Sequence, residues 1–239
     1  MARRRHAPAA QQSLILVTNR LFEAISDVHQ PRSVAARMRR RRFSLFSELV
    51  AQVPRPIRIL DVGGTQDFWD MMEFGYDADI SFTLINSAKK PVTRPNFSFV
   101  LGDARDLSQF RDSAFDFVFS NAVIQYVGNY NDQQRMAEEI MRVGKRYFLQ
   151  TANRYFPIDA STLLPFFHLL PRNLQIWMLM RFRLGWLGRC PDRESAAREV
   201  AEMPRLLTKS ELRELFPGGT IREERFLGIA KSFIIYKTT

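Results

Sequence analysis

Cysteine is almost absent from this chain: Cys190 is the only one in 239 residues. A lone thiol closes no intrachain disulfide and builds no cysteine-based zinc site, which suits a reducing compartment. Histidine is nearly as scarce, and His6, His29 and His168 are too widely spaced to form a metal-binding motif, so no metal is expected. No apolar run approaches the length needed to span a bilayer. The opening MARRRHAPAAQQSLILV has a basic segment, but its apolar part is short and runs into Thr18-Asn19-Arg20 without a small-residue cleavage pattern, so no secretory leader is expected and the expected location is cytoplasmic. Internal repeats and low-complexity tracts are missing too. What is present, 46% hydrophobic residues, is enough to bury one sizeable core.

Charge is unevenly placed. Residues 1–42 hold ten arginines against Glu23 and Asp27, a net +8 of the chain's +10. A run such as Arg39-Arg40-Arg41-Arg42 can attract lipid headgroups, nucleic-acid phosphates or an anionic substrate, and it can equally be a solvated helix face. In this arm Leu14, Val17, Leu21, Ile25 and Val28 recur at helical spacing, as do Val34, Met38, Leu45, Leu49 and Val53, which predicts two amphipathic helices broken near Pro31. Residues 1–54 therefore read as a basic helical arm and residues 55–239 as the main domain.

From Ile57 the pattern changes to short apolar runs separated by helix-length connections: RILDV, SFTLI, SFVLG, FDFVFS and RYFLQT. This predicts a parallel sheet with crossover helices, one of them over 131–143 and ended by Gly144. Residues 154–206, with five prolines and the dense apolar piece RNLQIWMLMRFRLGWLGR, interrupt the rhythm and read as an inserted helical cap whose Leu174, Trp177, Met178 and Met180 face a core or a ligand. Thr208 and Glu211 then form a capping box, and TIREERF and KSFIIYKT are joined so closely around Gly228 that they must pair antiparallel.

An open parallel sheet binds ligands beyond the C-terminal ends of its strands. In this chain those ends carry Asp61-Val62-Gly63-Gly64-Thr65 after the first strand, Asn86 after the second, Asp103 after the third, and Ser120 and Asn121 after the fourth. Any one of these residues can merely cap a helix or start a turn. Four successive polar strand ends point to a ligand.

At these residues the chain resembles the class I S-adenosylmethionine-dependent methyltransferases, in the small-molecule branch of methyltransferase domain type 11. ILDVGGTQDFW, GDARDL, FDFVFSNAVIQYVG, LLTKSELRELFPG and LGIAKSFIIYK carry the resemblance, which spans about residues 57–239. It implies an α/β, Rossmann-like fold: a mostly parallel seven-stranded sheet with a C-terminal antiparallel hairpin, N-terminal helices and the cap insertion. It also implies S-adenosylmethionine as cofactor, with Asp61, Gly63, Gly64 and Thr65 at its methionine part, Asn86 at its ribose and Asp103 with Ala104 at its adenine; Ser120 joins this set. Three departures stand out: Asn86 is neutral where relatives have an acid, the third glycine of the loop is missing, and Gln125-Tyr126 replaces a Glu-His pair.

The resulting expectation is a methyltransferase acting on a small-molecule, hydrophobic or lipid-linked acceptor, with Tyr126, Asn121, Asn153 and Tyr155 as the polar candidates near the transferred methyl group. His168, amid Phe166, Phe167, Leu169 and Leu170, reads as packed structure before it reads as a base. The arm would bring the protein to an anionic membrane surface, making it membrane-peripheral. The alternatives are an RNA-directed methyltransferase or nucleic-acid-binding protein using the arm, and a non-catalytic S-adenosylmethionine-binding protein; the near-neutral remainder of the chain makes nucleic acid the weaker partner. Oligomeric state is not legible.

Overall fold

The structure, a computed structural model, describes residues 34–159 and 161–238. The chain divides into two compact units, residues 1–52 and 53–239. In the first, helix α1 (Val34–Val50) is built from strong helix formers, and the rings of Phe43 and Phe46 meet one turn apart at 5.9 Å. The helix expected around Leu14 to Val28 lies outside the described residues, as does most of the arginine arm.

The second unit is built on strands β1 (Ile57–Val62), β2 (Ile80–Asn86), β3 (Phe97–Leu101), β4 (Phe117–Asn121), β5 (Tyr147–Ala152), β6 (Thr220–Phe226) and β7 (Ile229–Lys237). They form one sheet in the order β3-β2-β1-β4-β5-β7-β6. All neighbours up to β5 are parallel, and β7 runs antiparallel to both β5 and β6. The expected closing hairpin is present, turned by Leu227 and Gly228, both at positive φ, as a two-residue turn matched to strand twist requires.

The central strands are apolar along nearly their whole length because both sheet faces are covered. On one face α2 (Gln66–Met71) delivers Trp69, fully buried against Phe82 at 4.6 Å and Phe119 at 5.0 Å between ring centroids. On the other, α3 (Tyr130–Val143) lays Met136, Ile140 and Val143 into a core with Leu60, Val118 and Leu149. This helix starts on an Asn129–Asp132 capping box and stops before Gly144, as expected. Gly144 takes extended backbone there, and a side chain on it would lie 2.5 Å from Val118 and 2.8 Å from the Arg146 carbonyl, so it is required by close packing of the helix end on β4. Helix α6 (Lys209–Leu215) has the predicted cap: Thr208 Oγ1 accepts from the Glu211 amide and Glu211 Oε2 accepts from the Thr208 amide.

Between β5 and α6 the cap contributes α4 (Arg172–Arg181) and α5 (Arg193–Glu202). It has its own small core, in which Phe167, Leu179, Leu184, Ala196 and Val200 are buried. Leu174 and Trp177 do not join that core: they are 40% and 50% exposed, correcting the inward orientation expected for them. No helix among the described residues is long and apolar enough to cross a membrane.

Candidate active site

The strand order reverses direction between β1 and β4, which opens a crevice above their C-terminal ends. A cleft of about 460 Å³ lies there. Its walls come from four strand ends: Gly63 after β1, Ile85 to Ser87 at β2, Gly102 to Arg105 after β3, and Asn121 to Val123 with Tyr126 and Val127 after β4.

The loop after β1 is shaped by a buried carboxylate. Asp61 is only 1% exposed, and its Oδ2 accepts from Trp69 Nε1–H at 2.7 Å. Burial pushes its pKa up to about 7, with the tryptophan hydrogen bond pulling the other way. The chain then turns at Gly63, whose φ is +81° and whose missing side chain leaves room for Val123. Its amide donates to the Ile85 carbonyl at 2.7 Å, and its carbonyl accepts from Asn86 Nδ2 at 3.1 Å. Asn86 Oδ1 accepts from the Ala88 amide at 3.2 Å. The neutral amide at this position can therefore donate to the glycine loop and accept from its own turn, where a carboxylate could only accept.

Asp103 presents its carboxylate at the cleft, and Arg105 grips it. Arg105 Nε lies 3.0 Å from both carboxylate oxygens, and the Arg105 amide lies 2.9 Å from Oδ1. Hydrogen bonds from the Arg105 side chain hold Asp103 below the usual carboxylate range. Arg105 also reaches Asp132 at 3.3 Å, which ties the loop after β3 to the start of α3. Sequence reasoning missed Arg105 as well as Val123 and Val127. A basic residue two positions after Asp103 was the available signal for the first; the two valines carry no polar signal.

After β4, Ala122 takes positive φ and leads into a 3-10 turn over Ile124–Tyr126. Gln125 fixes that turn: its Oε1 accepts from Thr151 Oγ1 at 3.2 Å and from the Ala152 amide at 3.0 Å, while its backbone carbonyl accepts from Arg205 at 2.8 Å. Tyr126 follows at 61% exposure. It lines the cleft and also a second cavity of about 200 Å³, bounded by Ser161, Leu187, Glu199, Glu202, Met203 and Pro204.

Gly63, Asn86, Asp103, Ala104, Asn121 and Tyr126 thus come together on the cleft. Six expected site residues do not line it, Gly64 among them, whose backbone lies against the Asp61 carboxylate. Asp61 lies beneath the loop, and Thr65 extends into the start of α2. Ser120 is buried with its hydroxyl donating to the Val62 carbonyl at 3.3 Å, so it joins β4 to β1. Asn153 is buried, donating to the Ala230 carbonyl at 2.7 Å and accepting from the Tyr155 amide at 3.0 Å, and Tyr155 itself is 64% exposed. The first anchors its loop and the second is a surface side chain. His168 is packed structure: its Nε2 sits 2.7 Å from the Arg154 carbonyl, and its ring is 9% exposed beside Asp159. No cluster of metal-ligating side chains occurs among the described residues.

Residues 61–147 match the family model of the methyltransferase domain, type 11. Among solved structures, the carbon methyltransferase CurJ superposes with a TM-score of 0.58 at 11% identity, covering 97% of this chain and 71% of that one. The 1,6-didemethyltoxoflavin-N1-methyltransferase of Burkholderia thailandensis, solved with 1,6-didemethyltoxoflavin and S-adenosylhomocysteine bound, gives 0.52 at 13% identity, covering 98% and 92%. At such identities the likeness is one of fold. A search of curated proteins gave no match. The fold and crevice define a Rossmann-like class I methyltransferase architecture. The domain match runs from the end of β1 to the start of β5 and marks residues 61–147 as a methyltransferase domain, which supports S-adenosylmethionine-dependent methyl transfer with S-adenosylmethionine as cofactor.

Proposed function

We propose that the enzyme methylates a small apolar or lipid-linked acceptor that enters from the cap side and meets the cofactor cleft at Tyr126. The observation that supports this reading is the position of Tyr126 on both cavities, the cleft among the strand ends and the smaller one against the cap. The cleft's chemistry fits an adenosyl group. Ile85, Val123 and Val127 offer apolar surface, Asp103 offers an acceptor, and the Gly63 turn lets Val123 pack close to the backbone at the cleft wall. S-adenosylmethionine supplies a methyl group already activated on a sulfonium. The chain's own task is to orient the acceptor and exclude water.

In this reading Asn86 and Asp103 hold the cofactor's polar edges and Ala104 packs beside them. Tyr126 and Asn121 border the acceptor's reacting end. The smaller cavity holds only part of an acceptor: Leu187, Met203 and Pro204 contact an apolar portion, while Glu199 and Glu202 take hydrogen bonds, or a released proton, from a hydroxyl or amine head. The full chain should be incubated with methyl-labelled cofactor and with lipid, polar small-molecule and RNA fractions in parallel. Label is expected in the solvent-extractable lipid fraction. Label confined to RNA, or no transfer to any fraction despite cofactor binding, overturns the reading.

A further inference from the structure

The cap presents a surface that its own fold does not explain. Helix α4 buries Gln175 and Leu179 on one side, and Gln175 Nε2 donates to the Phe167 carbonyl at 2.8 Å. The opposite side follows the spacing Leu174, Trp177, Arg181, and all three are exposed. Trp177 packs edge-on against Phe182 at 5.9 Å, which extends the apolar strip past the end of the helix. Phe182 is 49% exposed and Trp186 63%. A run of large aromatics at this exposure marks an interaction surface.

Its charge indicates what it meets. Between Asp159 and Asp192 the sequence has no acidic residue, yet it has four arginines, at 172, 181, 183 and 189. All four are exposed, and none forms an ion pair among the described residues. Tryptophan at headgroup depth, phenylalanine and leucine at the acyl boundary, and arginines on phosphate are the features by which a surface element lies on an anionic bilayer. A second copy across a two-fold axis would set these arginines against themselves. Nucleic acid would make use of the arginines and the rings but would leave the aliphatic part of the strip unused.

We propose that the cap face carrying Leu174, Trp177 and Phe182, flanked by Arg181 and Arg183, docks on the surface of an anionic lipid bilayer, with exposed Trp186 entering the same bilayer surface. This surface is separate from the cofactor cleft and is available whatever the acceptor. Vesicle binding needs no acceptor, so its failure leaves the acceptor reading standing, and a failed methyl transfer leaves the docking standing.

The test is flotation of the full chain with phosphatidylcholine vesicles, with and without phosphatidylglycerol. Binding is expected only with the anionic lipid. It should fall roughly 30-fold in an Arg181→Gln/Arg183→Gln variant, at about fivefold for each arginine near the surface, and roughly tenfold in Trp177→Asp. All variants should keep cofactor affinity and circular dichroism, because these side chains are exposed and outside both cavities. Tryptophan emission separates the cap from the arginine arm: Trp69 is fully buried, so a blue shift on vesicles must come from Trp177 and Trp186 and should vanish in Trp177→Phe/Trp186→Phe. Parental vesicle affinity in Trp177→Asp, or an unshifted emission on bound protein, overturns the proposal. A dimer dispersed by Trp177→Asp, or RNA binding lost by that change without vesicle binding, overturns it in favour of that other partner.

Discussion

The carboxylate of Asp61 lies directly against the α-carbon of Gly64: a methyl group built on that glycine would stand 1.6 Å from Oδ2. The carboxylate has little room to withdraw, because Trp69 holds the same oxygen at 2.7 Å and is itself locked into the aromatic core. Gly64→Ala must therefore displace the loop. Calorimetric titration is expected to show S-adenosylmethionine affinity reduced more than about tenfold, with a stability loss of about 1–3 kcal/mol typical of overpacking. Near-parental affinity in folded protein would mean that the loop does not form the cofactor site.

Asp61 also makes stability depend on pH. Its folded pKa is about 7 against an ordinary value of 3.8, so between those values the native state binds a proton that the unfolded chain releases. The associated stabilisation is complete below the ordinary carboxylate range and is lost as pH rises through about 7, a change of a few kcal/mol at most. Urea unfolding from about pH 5 to pH 8 should show stability falling with pH. Asp61→Asn keeps an acceptor for Trp69 and should flatten that fall; an unchanged slope would assign it to other groups.

Much of this architecture was legible in the sequence. The apolar strand runs, the Thr208–Glu211 cap and the short connection at Gly228 are local signals, and local physics produces them as read. Four strand ends at one cleft followed from parallel topology alone. Long-range pairing was not legible. Nothing in the spacing of Asp61 and Trp69 reveals that an indole N–H would hold the acid against the backbone of Gly64. Asn153 illustrates the same limit: its position after β5 was correct, but a carbonyl from residue 230 holds its side chain. The outward side of α4 was also hidden, since an apolar helix reads as core until its partners are known.

The Arg105 clamp yields a prediction about the acid side of the pH range. Arg105 holds Asp103 ionised below the usual carboxylate range, and an ionised carboxylate is the stronger acceptor for a cofactor amino group. Arg105→Gln should raise the Asp103 pKa toward its ordinary value, so that cofactor affinity declines at a higher pH than in the parent. Titrations across the acid range would detect the displaced limb. Asp103→Asn should weaken binding about tenfold while removing that limb altogether. If the parent and Arg105→Gln lose affinity at the same pH, Arg105 does not tune Asp103.

Tyr126 should separate acceptor use from cofactor binding. Its backbone is fixed by Gln125, which is bound to Thr151, Ala152 and Arg205, whereas its own side chain is 61% exposed and contributes little to the fold. Tyr126→Ala should therefore leave unfolding free energy within about 0.5 kcal/mol of the parent. Cofactor affinity should change no more than about twofold, because the cleft's polar groups at Asn86 and Asp103 remain. Methyl transfer should fall by at least about tenfold, since the wall shared by the two cavities is lost and the acceptor is no longer held in line. Tyr126→Phe then assigns the effect: recovery of kcat/KM shows that the ring's shape positions the acceptor, and continued loss shows that the hydroxyl bonds it. Equal losses of cofactor affinity and transfer in Tyr126→Ala would place this side chain in the cofactor site alone and leave the smaller cavity without a role in catalysis.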